Sequence, residues 1–299
     1  MKKNTKKISA ALIALFSICL SVFSVNAEMI LEYDGYQYSI FNNTSISLEG
    51  WDNRTPDLIV PDTINERYFI SVANNGLKEN TEITSVDFSQ VTRLKRIGMF
   101  AFMGCSSINQ PIILPDSLEI INNGAFQDCT SLPGVQVNAG VSAIPEQCFL
   151  RCSSMTEVQL AEGLQSIGRI AFANCTSLQY LEIPRSVNSI DPTAFYNDPN
   201  LTLGVWFGSY GYDYAKSQNI PFILLDSVLL GDANGDGYVN ISDVTDIQRA
   251  VAEMDTLDDL RKKAADINGD GVVTIDDATF LQTYLAEFET AYPIGEITQ

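Results

Sequence analysis

Residues 158–178 read VQLAEGLQSIGRIAFANCTSL, and variants of this stretch recur along the middle of the chain. The copies place a phenylalanine at Phe102, Phe126, Phe149, Phe172 and Phe195, and the spacing between them varies by no more than one position. An isoleucine stands five residues before each phenylalanine, at Ile97, Ile121, Ile144, Ile167 and Ile190. A period this constant predicts a repeat architecture, in which every copy contributes the same residue type to a shared core.

Each copy also contains an alternating pair of apolar residues upstream of the isoleucine. These pairs are Val86/Phe88, Ile112/Leu114, Val135/Val137, Val158/Leu160 and Leu181/Ile183. Alternation with period two predicts a strand with one buried face. We therefore predict that each repeat forms a strand, a bend, and a short helical turn that carries the phenylalanine. One such unit cannot bury its apolar edge alone, so the repeats are expected to stack into a solenoid with a continuous core.

The repeats also carry a regularly spaced cysteine. It stands three residues after each of the first four phenylalanines, and Asp198 takes this position in the fifth repeat. The cysteines beyond the N-terminal segment are Cys105, Cys129, Cys148, Cys152 and Cys175. A buried cysteine packs as a small hydrophobic residue, and an odd number cannot pair completely within one chain. We predict packing in preference to catalysis, metal binding or a disulfide framework; whether neighbouring cysteines can oxidise stays open.

These repeats resemble the BspA-like leucine-rich repeat family of bacterial surface and secreted proteins. Five clear repeats span residues 84–201, and a degenerate one precedes them at residues 59–83. Residues 34–51 resemble the entry hairpin of the family, and residues 204–225 resemble its C-terminal cap. The resemblance implies a β-rich leucine-rich-repeat solenoid with short helical turns. It also implies binding of a protein or surface ligand, without catalysis.

The outward residues of the predicted strands define a candidate binding face. We predict that the ligand-binding residues of this face are Asp87, Gln136, Glu157, Gln159, Tyr180 and Glu182. Their carboxylate and amide groups can hydrogen-bond a polar protein or a glycan. An ordinary solvated sheet face explains any single one of these residues equally well, so the two interpretations stay open.

Two acidic loops follow the repeats, DANGDGYVNISD at residues 232–243 and DINGDGVVTIDD at residues 266–277. Both carry oxygen ligands at loop positions 1, 3, 5, 7, 9 and 12, where position 7 offers its main-chain carbonyl. These positions are Asp232, Asn234, Asp236, Tyr238, Asn240 and Asp243, then Asp266, Asn268, Asp270, Val272, Thr274 and Asp277. Calcium takes about six to eight oxygen ligands, and carboxylates crowded on one loop repel each other without a cation. The pattern predicts two bound Ca²⁺ ions.

Helices are expected after both loops. Apolar residues at helical spacing are Val244, Ile247 and Val251 after the first loop, and Ala278, Leu281 and Leu285 after the second. A short linker helix is predicted near residues 256–264, and no helix is expected before the first loop. A loop followed by a helix, present twice, resembles the type I dockerin over residues 231–289. This resemblance implies a small all-α calcium-binding dockerin module that docks onto a cohesin of a scaffoldin, as in cellulosomes of plant-fibre-degrading bacteria.

In dockerins, loop positions 10 and 11 and helix positions 17, 18 and 22 meet the cohesin. Carried over to this chain, the cohesin-binding residues are Ile241, Ser242, Gln248, Arg249 and Glu253, then Ile275, Asp276, Gln282, Thr283 and Glu287. The family often has Ser or Thr at position 10, so isoleucine there departs from its pattern. The two halves agree at three of the five positions. The sequence therefore leaves open whether the dockerin docks in one orientation or in two.

The composition excludes several classes of function. The chain has 299 residues, 37 acids, 18 bases, no histidine and a net charge of −19. Nucleic acid is excluded as a partner because phosphate binding needs a basic face, and an anionic membrane surface is disfavoured for the same reason. Without histidine, Ser-His-Asp systems and the HExxH zinc helix are impossible. The composition does not exclude a glycosidase that uses a pair of carboxylates.

The N-terminal segment that ends at Ala27 predicts a secretory signal peptide. Lys2 to Lys7 form a basic region, an apolar stretch follows, and Val25-Asn26-Ala27 fits a cleavage site. An uncleaved membrane anchor is the alternative. We predict this organisation: 1–27 signal peptide, 28–226 repeat solenoid with caps, 227–230 linker, 231–291 dockerin and 292–299 tail. The tail is expected to fold back on Leu229 and Leu230.

Together these observations predict a secreted, non-catalytic adaptor that is held at the cell surface through a scaffoldin complex. The repeat face would present a recognition surface to an unknown protein or glycan. An adhesin for plant polysaccharide or cells is the alternative. Most dockerin partners are enzymes of polysaccharide catabolism, but the repeats occupy nearly all remaining residues and leave no room for a catalytic domain.

Overall fold

The computed structural model describes residues 8–9, 29–206 and 208–298. The chain divides into two compact units, Met1–Ile223 and Leu224–Gln299. The predicted signal peptide lies outside the described residues, apart from the two-residue strand Ile8–Ser9. In the described part of the chain, no helix combines the length and the apolarity that crossing a bilayer requires.

The first unit is built from short strands and one helix. Its strands are β1 Ile8–Ser9, β2 Ile30–Tyr33, β3 Tyr36–Asn42, β4 Ser45–Trp51, β5 Asp57–Ile59, β6 Thr63–Ile64, β7 Arg67–Val72, β8 Ser85–Asp87, β9 Arg96–Ile97, β10 Ile112–Ile113, β11 Ile120–Ile121, β12 Gly134–Val137, β13 Ala143–Ile144, β14 Glu157–Leu160, β15 Ser166–Ile167, β16 Tyr180–Glu182, β17 Ser189–Ile190, β18 Thr202–Val205 and β19 Phe222–Leu224. Its helix is α1, Tyr210–Gln218. The second unit contains β20 Val228–Leu229, α2 Ile241–Val251, α3 Asp259–Ala265, α4 Ile275–Leu285 and β21 Ile297–Thr298.

The first unit is a solenoid with two strand ladders, of which the sequence predicted one. The alternating apolar pairs lie on or beside β8, β10, β12, β14 and β16, as expected. The isoleucines lie on a second series of strands that the sequence analysis did not predict. These pair in parallel as β7-β9-β11 and β13-β15-β17. The segments that carry the phenylalanines are short hydrogen-bonded turns.

The N-terminal end of the solenoid is closed by antiparallel strands. β2 pairs with β3, and β3 pairs with β4, so the predicted hairpin is part of a three-stranded meander. β4 then pairs in parallel with β7, which starts the ladder of short strands. The terminal strands thus convert an antiparallel sheet into the parallel stacking of the repeats.

A column of phenylalanine rings forms the centre of the solenoid. The rings of Phe102, Phe126, Phe149, Phe172 and Phe195 stack nearly parallel, with successive centroids 5.2, 5.5, 5.2 and 5.6 Å apart. All five side chains are buried, and Leu77 is buried at the corresponding place in the degenerate repeat. Burying one phenylalanine contributes about 1.5–3 kcal/mol, and each ring pair adds about 0.5–1.5 kcal/mol.

The cysteines are free and buried, in agreement with a packing role. The thiols of Cys105, Cys129, Cys152 and Cys175 donate to the main-chain carbonyls of Leu77, Phe102, Phe126 and Phe149 at 3.1–3.2 Å. Burial raises the pKa of the Cys105 thiol to about 12. Because a buried thiol with a raised pKa stays protonated, it keeps donating this hydrogen bond.

Asp198 ends the cysteine series with a group of a different kind. Its two carboxylate oxygens are buried and have no hydrogen-bond partner among the described residues. Burial raises the pKa of the Asp198 carboxyl to about 7. The nearby main chain of Cys175 lowers this pKa by a smaller amount, although it forms no hydrogen bond with the carboxylate. Burial costs a charged carboxylate more free energy than a protonated carboxyl, so the protonated form is favoured here.

We predict that Asp198→Asn stabilises the solenoid at alkaline pH. A raised carboxyl pKa means that the folded state holds the proton more tightly than the unfolded state, so the free energy of unfolding falls as pH rises from about 4 to about 7. At pH 8 the variant should be more stable by about 1 kcal/mol, since Asp198 is only partly buried. Urea unfolding at pH 5 and pH 8 measures this. The exposed Asp116→Asn serves as the control, and equal pH dependence of both variants would contradict the assignment.

The second unit is built on two helices that pack against each other. Its buried core contains Leu230, Ala233, Val244, Ile247, Leu257, Ala265, Ile267, Ala278, Leu281 and Ile294. Val251 was predicted on the buried face but is exposed; Ala250 packs against the core at the end of α2 instead. The linker helix begins at Asp259 and not near residue 256, because the Asp258 side chain caps it by accepting the Arg261 N–H at 2.9 Å.

The two ends of the second unit are joined. β20 and β21 pair antiparallel, with Leu229 opposite Ile297. The Leu230 N–H donates to the Glu296 carbonyl at 3.0 Å, and the Tyr292 ring lies 4.8 Å from the Phe280 ring. The C-terminal segment therefore folds back as expected, and its Ile294 packs into the core of the second unit.

Shortening the buried side chain of Ile294, which anchors the C-terminal segment, should destabilise the second unit. Ile294 is 5% exposed, whereas Ile297, three residues later, is 74% exposed. Ile294→Ala should lower the free energy of unfolding by about 2–4 kcal/mol, and Ile297→Ala should change it by less than about 0.5 kcal/mol. Hydrogen exchange of the α2 and α4 amides measures both. Similar effects of the two substitutions would contradict the packing described.

Candidate functional sites on the acidic loops, the helices and the repeat face

The first acidic loop folds around the carboxylate of Asp232. That carboxylate accepts the main-chain N–H groups of Gly235 at 2.9 Å, Asp236 at 3.1 Å and Gly237 at 2.9 Å. Gly237 has φ +84°, a conformation that a side chain would strain. The loop thus curls tightly enough to bring its oxygen-bearing side chains to one side.

Asp243 closes this loop and starts α2. Its side chain is fully buried and accepts the N–H groups of Asn234 at 3.1 Å and Asn240 at 2.8 Å. Asn240 and Asp243 also form a reciprocal capping box at the helix N-terminus. Burial raises the pKa of the Asp243 carboxyl, and the charges of Asp232 and Asp236 add to the shift. A divalent cation between these groups would reverse the sign of that repulsion.

The second loop repeats this geometry. Asp266 accepts the N–H groups of Asp270 at 3.1 Å and Gly271 at 2.8 Å. Asp277 is fully buried and accepts from Ile267 at 2.8 Å and from Thr274 at 2.8 Å. The two loops therefore present equivalent donor sets, although the sequences between their acidic residues differ.

The donor chemistry of both loops fits calcium. Carboxylate, amide, hydroxyl and main-chain carbonyl oxygens are the hard ligands that this ion takes. The amide of Asn234 lies 3.2 Å from the Asp236 carboxylate, and the amide of Asn268 lies 3.0 Å from that of Asp270. Within residues 29–206 and 208–298, no three His, Cys, Asp or Glu side chains converge as a ready-made metal site. The predicted set draws on amide, hydroxyl and carbonyl oxygens as well.

The predicted cohesin-binding residues lie on the surface of α2 and α4 and at the ends of these helices. Nine of the ten are exposed, and Thr283 is half-buried. Ile241 and Ile275 open the two helices and are 65% and 53% exposed. Arg249 is held by an ion pair with Asp255 at 2.9 Å. Two exposed isoleucines at equivalent places give each half an apolar contact point surrounded by polar groups.

The helices end in a way that the sequence analysis missed. Glu253 and Glu287 follow the last turns with φ +56° and +62°, a left-handed conformation that favours glycine. The next residues, Met254 and Phe288, donate their N–H groups back to the carbonyls of Arg249 and Thr283. Four apolar side chains near these ends and in the loops are exposed: Tyr238, Met254, Val272 and Phe288. These apolar residues stand in otherwise polar stretches of the sequence, and this contrast could have identified them as surface contact residues.

The repeat face is broken at two places. The first strands of the repeats form three separate sheets, β5-β8, β10-β12-β14 and β16-β18-β19. At the first break, the chain between Val86 and Ile112 is longer than the regular repeat, and Pro111 has no N–H to donate. At the second break, Val158 and Leu181 keep the regular spacing, so the period does not foretell it.

The predicted repeat-face residues are divided between these sheets. Gln136 and Gln159 lie opposite each other on β12 and β14 and are exposed. Asp87 is half-buried on β8, where its carboxylate accepts the Ser89 N–H at 2.7 Å. The structure brings Glu157, Gln159, Tyr180 and Glu182 together around one cleft of about 360 Å³ at the second break. Asp87 and Gln136 do not line this cleft.

Comparison with known families accounts for both units. The model of the BspA-type leucine-rich repeat region matches residues 71–202 with six copies. The model of the type I dockerin domain matches residues 230–286. The chain carries a BspA-type leucine-rich repeat region followed by a type I dockerin domain. These comparisons identify no catalytic domain, and no curated protein matches the chain.

Solved structures of bacterial leucine-rich repeat proteins also resemble the chain. A leucine-rich repeat protein of Treponema pallidum is 23% identical, with a TM-score of 0.42 over 57% of this chain and 69% of its own. A leucine-rich cell surface protein of Faecalibacterium prausnitzii A2-165 is 22% identical, with a TM-score of 0.45 over 59% of this chain and 54% of its own. A leucine-rich repeat protein of Eubacterium ventriosum is 20% identical, with a TM-score of 0.41 over 57% of this chain and 52% of its own.

The left-handed residues at the ends of the dockerin helices give a test of this geometry. Glu253→Gly and Glu287→Gly remove the side chains that disfavour φ near +60°, so each should raise the free energy of unfolding by about 0.5–1 kcal/mol. Glu→Ala at the same positions keeps a β-carbon and should give no gain. Thermal unfolding of the calcium-loaded protein measures the four variants. Equal stability of the Gly and Ala variants would contradict the left-handed assignment.

Proposed function

We propose that this chain is a secreted, non-catalytic adaptor. Its dockerin docks onto a cohesin of a scaffoldin, and its repeat face presents a recognition surface to a protein or surface ligand. The match to the type I dockerin domain carries the proposal, because a dockerin implies a cohesin partner. The exposed, equivalent positions of Ile241 and Ile275 on α2 and α4 support it. Residues 1–27 are the proposed signal peptide, and residues 28–226 and 231–291 are the proposed domains.

Calcium is part of this proposal. One ion would be held in each loop, by Asp232, Asn234, Asp236, Asn240, Asp243 and the Tyr238 carbonyl, and by the equivalent residues of the second loop. Bound ions would neutralise the buried carboxylates of Asp243 and Asp277, which no lysine or arginine contacts through an ion pair among the described residues. Since an ion that binds only the folded state stabilises that state, folding and docking would both depend on calcium.

The repeat region gives the adaptor its second surface. Carboxylate, amide and tyrosine groups are exposed on the strand face, and this chemistry favours a polar macromolecule. An adhesin that binds plant polysaccharide or cells differs from a protein adaptor only in the ligand. Pull-down from a secreted protein fraction, compared with binding to insoluble polysaccharide, separates the two. A catalytic role would need two carboxyl groups at a fixed separation around a bound sugar, and none of the identified domains is catalytic.

Removal of calcium should unfold the dockerin and leave the repeats folded. Each chelated loop would leave a buried aspartate beside two other carboxylates, while the solenoid core contains no calcium loop. Circular dichroism before and after chelation should show loss of most of the α2 and α4 helical signal. Hydrogen exchange of the β12 and β14 amides should stay unchanged. Helicity that survives chelation would contradict the calcium assignment.

Docking should depend on the two exposed isoleucines. The double variant Ile241→Asp/Ile275→Asp places charges at both apolar contact points and should weaken calcium-dependent cohesin binding by at least about 100-fold, or about 2.7 kcal/mol. Leu260→Asp, on the exposed side of α3, is the control and should bind normally. Titration calorimetry against a panel of cohesins measures both. Normal binding of the double variant would place the docking surface elsewhere on the dockerin.

A further inference from the structure

The break between β14 and β16 exposes main-chain groups that the regular ladder pairs. Elsewhere on this face, the Leu114 N–H donates to Gln136 at 3.0 Å and the Ile183 N–H donates to Gly204 at 2.9 Å. The equivalent bond would join Leu160 to Glu182, but the described strands β14 and β16 belong to different sheets and are not paired. β14 and β16 therefore lie side by side without a hydrogen-bonded ladder.

The unpaired groups point into the cleft. The N–H groups of Glu157 and Ala161 donate towards the preceding repeat, to Pro133 at 3.2 Å and Val137 at 3.1 Å. Because alternate residues of a strand direct their main-chain groups to opposite sides, the N–H and C=O groups of Val158 and Leu160 face β16. The break thus offers two carbonyl acceptors and two N–H donors at the edge of β14.

The same break opens the apolar core. Val158 and Leu160 are only half-buried, whereas the equivalent Val135, Val137 and Leu181 are buried. These two side chains line a cleft of about 360 Å³ together with Thr156, Glu157, Gln159, Tyr180 and Glu182. The cleft therefore combines an apolar floor with a polar rim.

The rim carries negative charge that no basic side chain of the described residues neutralises. Glu157 and Glu182 are exposed, and neither forms an ion pair within the part of the chain that the structure describes. Burial raises the pKa of the Tyr180 hydroxyl, and the charge of Glu182 adds to the shift, which places the two side chains close together. The Tyr180 side chain lies across Gly204, where a β-carbon would clash with it. Gly204 lies on β18, opposite Glu182, so glycine at this position leaves room for the Tyr180 hydroxyl above β18.

We propose that this cleft is the specificity site of the repeat face and that it takes a lysine or arginine side chain of a protein ligand. The inference rests on the proposed function in taking the repeat face as a recognition surface. The aliphatic stem of such a side chain fits Val158 and Leu160, and its cationic head can approach the ring of Tyr180. Both carboxylates and the main-chain carbonyls of β14 accept hydrogen bonds from that head.

A sugar matches this chemistry less well. A neutral sugar would find donors in this cleft, among them the N–H groups of Val158 and Leu160, but it would leave the charge of the two rim carboxylates uncompensated. The other cleft of this face, between β8 and β10, has a different rim: its Asp87 carboxylate is already engaged by the Ser89 N–H at 2.7 Å. Charge complementarity therefore favours a cationic side chain at the β14–β16 cleft.

The test uses the full mature chain loaded with calcium and three tripeptide probes of the form acetyl-Gly-X-Gly-amide, with X lysine, norleucine or glutamate. In ¹⁵N NMR spectra at physiological salt, the lysine probe should shift the amides of Val158, Leu160 and Tyr180 and should saturate. Norleucine and glutamate probes should not saturate. Xylohexaose and cellohexaose are the competing ligands, and saturation of the cleft by either, without saturation by lysine, would overturn the inference.

Two double variants with the same charge change separate the cleft from the general acidity of the chain. Glu157→Gln/Glu182→Gln should weaken lysine-probe binding about tenfold. The control Glu82→Gln/Glu289→Gln also removes two exposed glutamates, away from the cleft, and should change binding by less than about twofold. Equal weakening by both variants, or shifts spread over the whole surface, would show unspecific charge attraction and sink the proposal.

Cohesin binding of the same variants keeps this inference separate from the docking function. Both double variants should dock normally, because none of the four glutamates is among the predicted cohesin-binding residues. Loss of the lysine site with docking intact, or failure to find that site, would concern the repeat face alone. Absence of docking with a saturable lysine site would overturn the adaptor function of the dockerin and leave the cleft assignment standing.

Discussion

The stacking of identical side chains between neighbouring repeats is the constraint on which the solenoid depends. Each inner phenylalanine ring stacks on the ring before and the ring after it, at centroid distances of 5.2–5.6 Å. No repeat can bury its ring without its neighbours, so stability is shared between adjacent repeats and not stored within one. The thiol–carbonyl bonds follow the same rule, because each cysteine reaches back to the preceding repeat. The first and last repeats each lack a neighbour on one side, and the antiparallel strands β2–β4 and helix α1 cover these two ends.

The dockerin is stabilised in a different way, since a unit of this size has only a small apolar core. Its two halves place a fully buried aspartate at the junction of loop and helix, where Asp243 and Asp277 each order a loop and cap a helix. Under the proposed calcium binding, the same carboxylates would make the unit dependent on a counter-charge. The antiparallel pair β20–β21 and the buried Ile294 add a second closure that joins the ends of the unit. Electrostatics and chain closure thus complement a limited apolar core.

The sequence predicted those features that repeat and missed those that break the repeat. Phenylalanine, isoleucine and cysteine positions were interpreted correctly as core because each recurs with a nearly constant period. The second strand ladder was missed because a single isoleucine between polar residues carries no period-two pattern. Val251 was misplaced because helical spacing does not show where a helix leaves its neighbour. The acidic loops were predicted from a spacing that lies within each loop and does not depend on distant contacts, and their calcium ligands stay a prediction.

The repeat face shows why function is harder to predict than fold in such a protein. A perfect ladder would pair every main-chain group and cover every apolar side chain, which leaves a ligand only a flat polar surface. A break in the ladder frees acceptors at Val158 and Leu160 and uncovers their side chains at the same place. The regular spacing of the repeats across this break gives no warning of it, because spacing in sequence does not show whether neighbouring strands pair. Departures from the repeat therefore concentrate the chemistry that can distinguish one ligand from another, and they have to be sought in three dimensions.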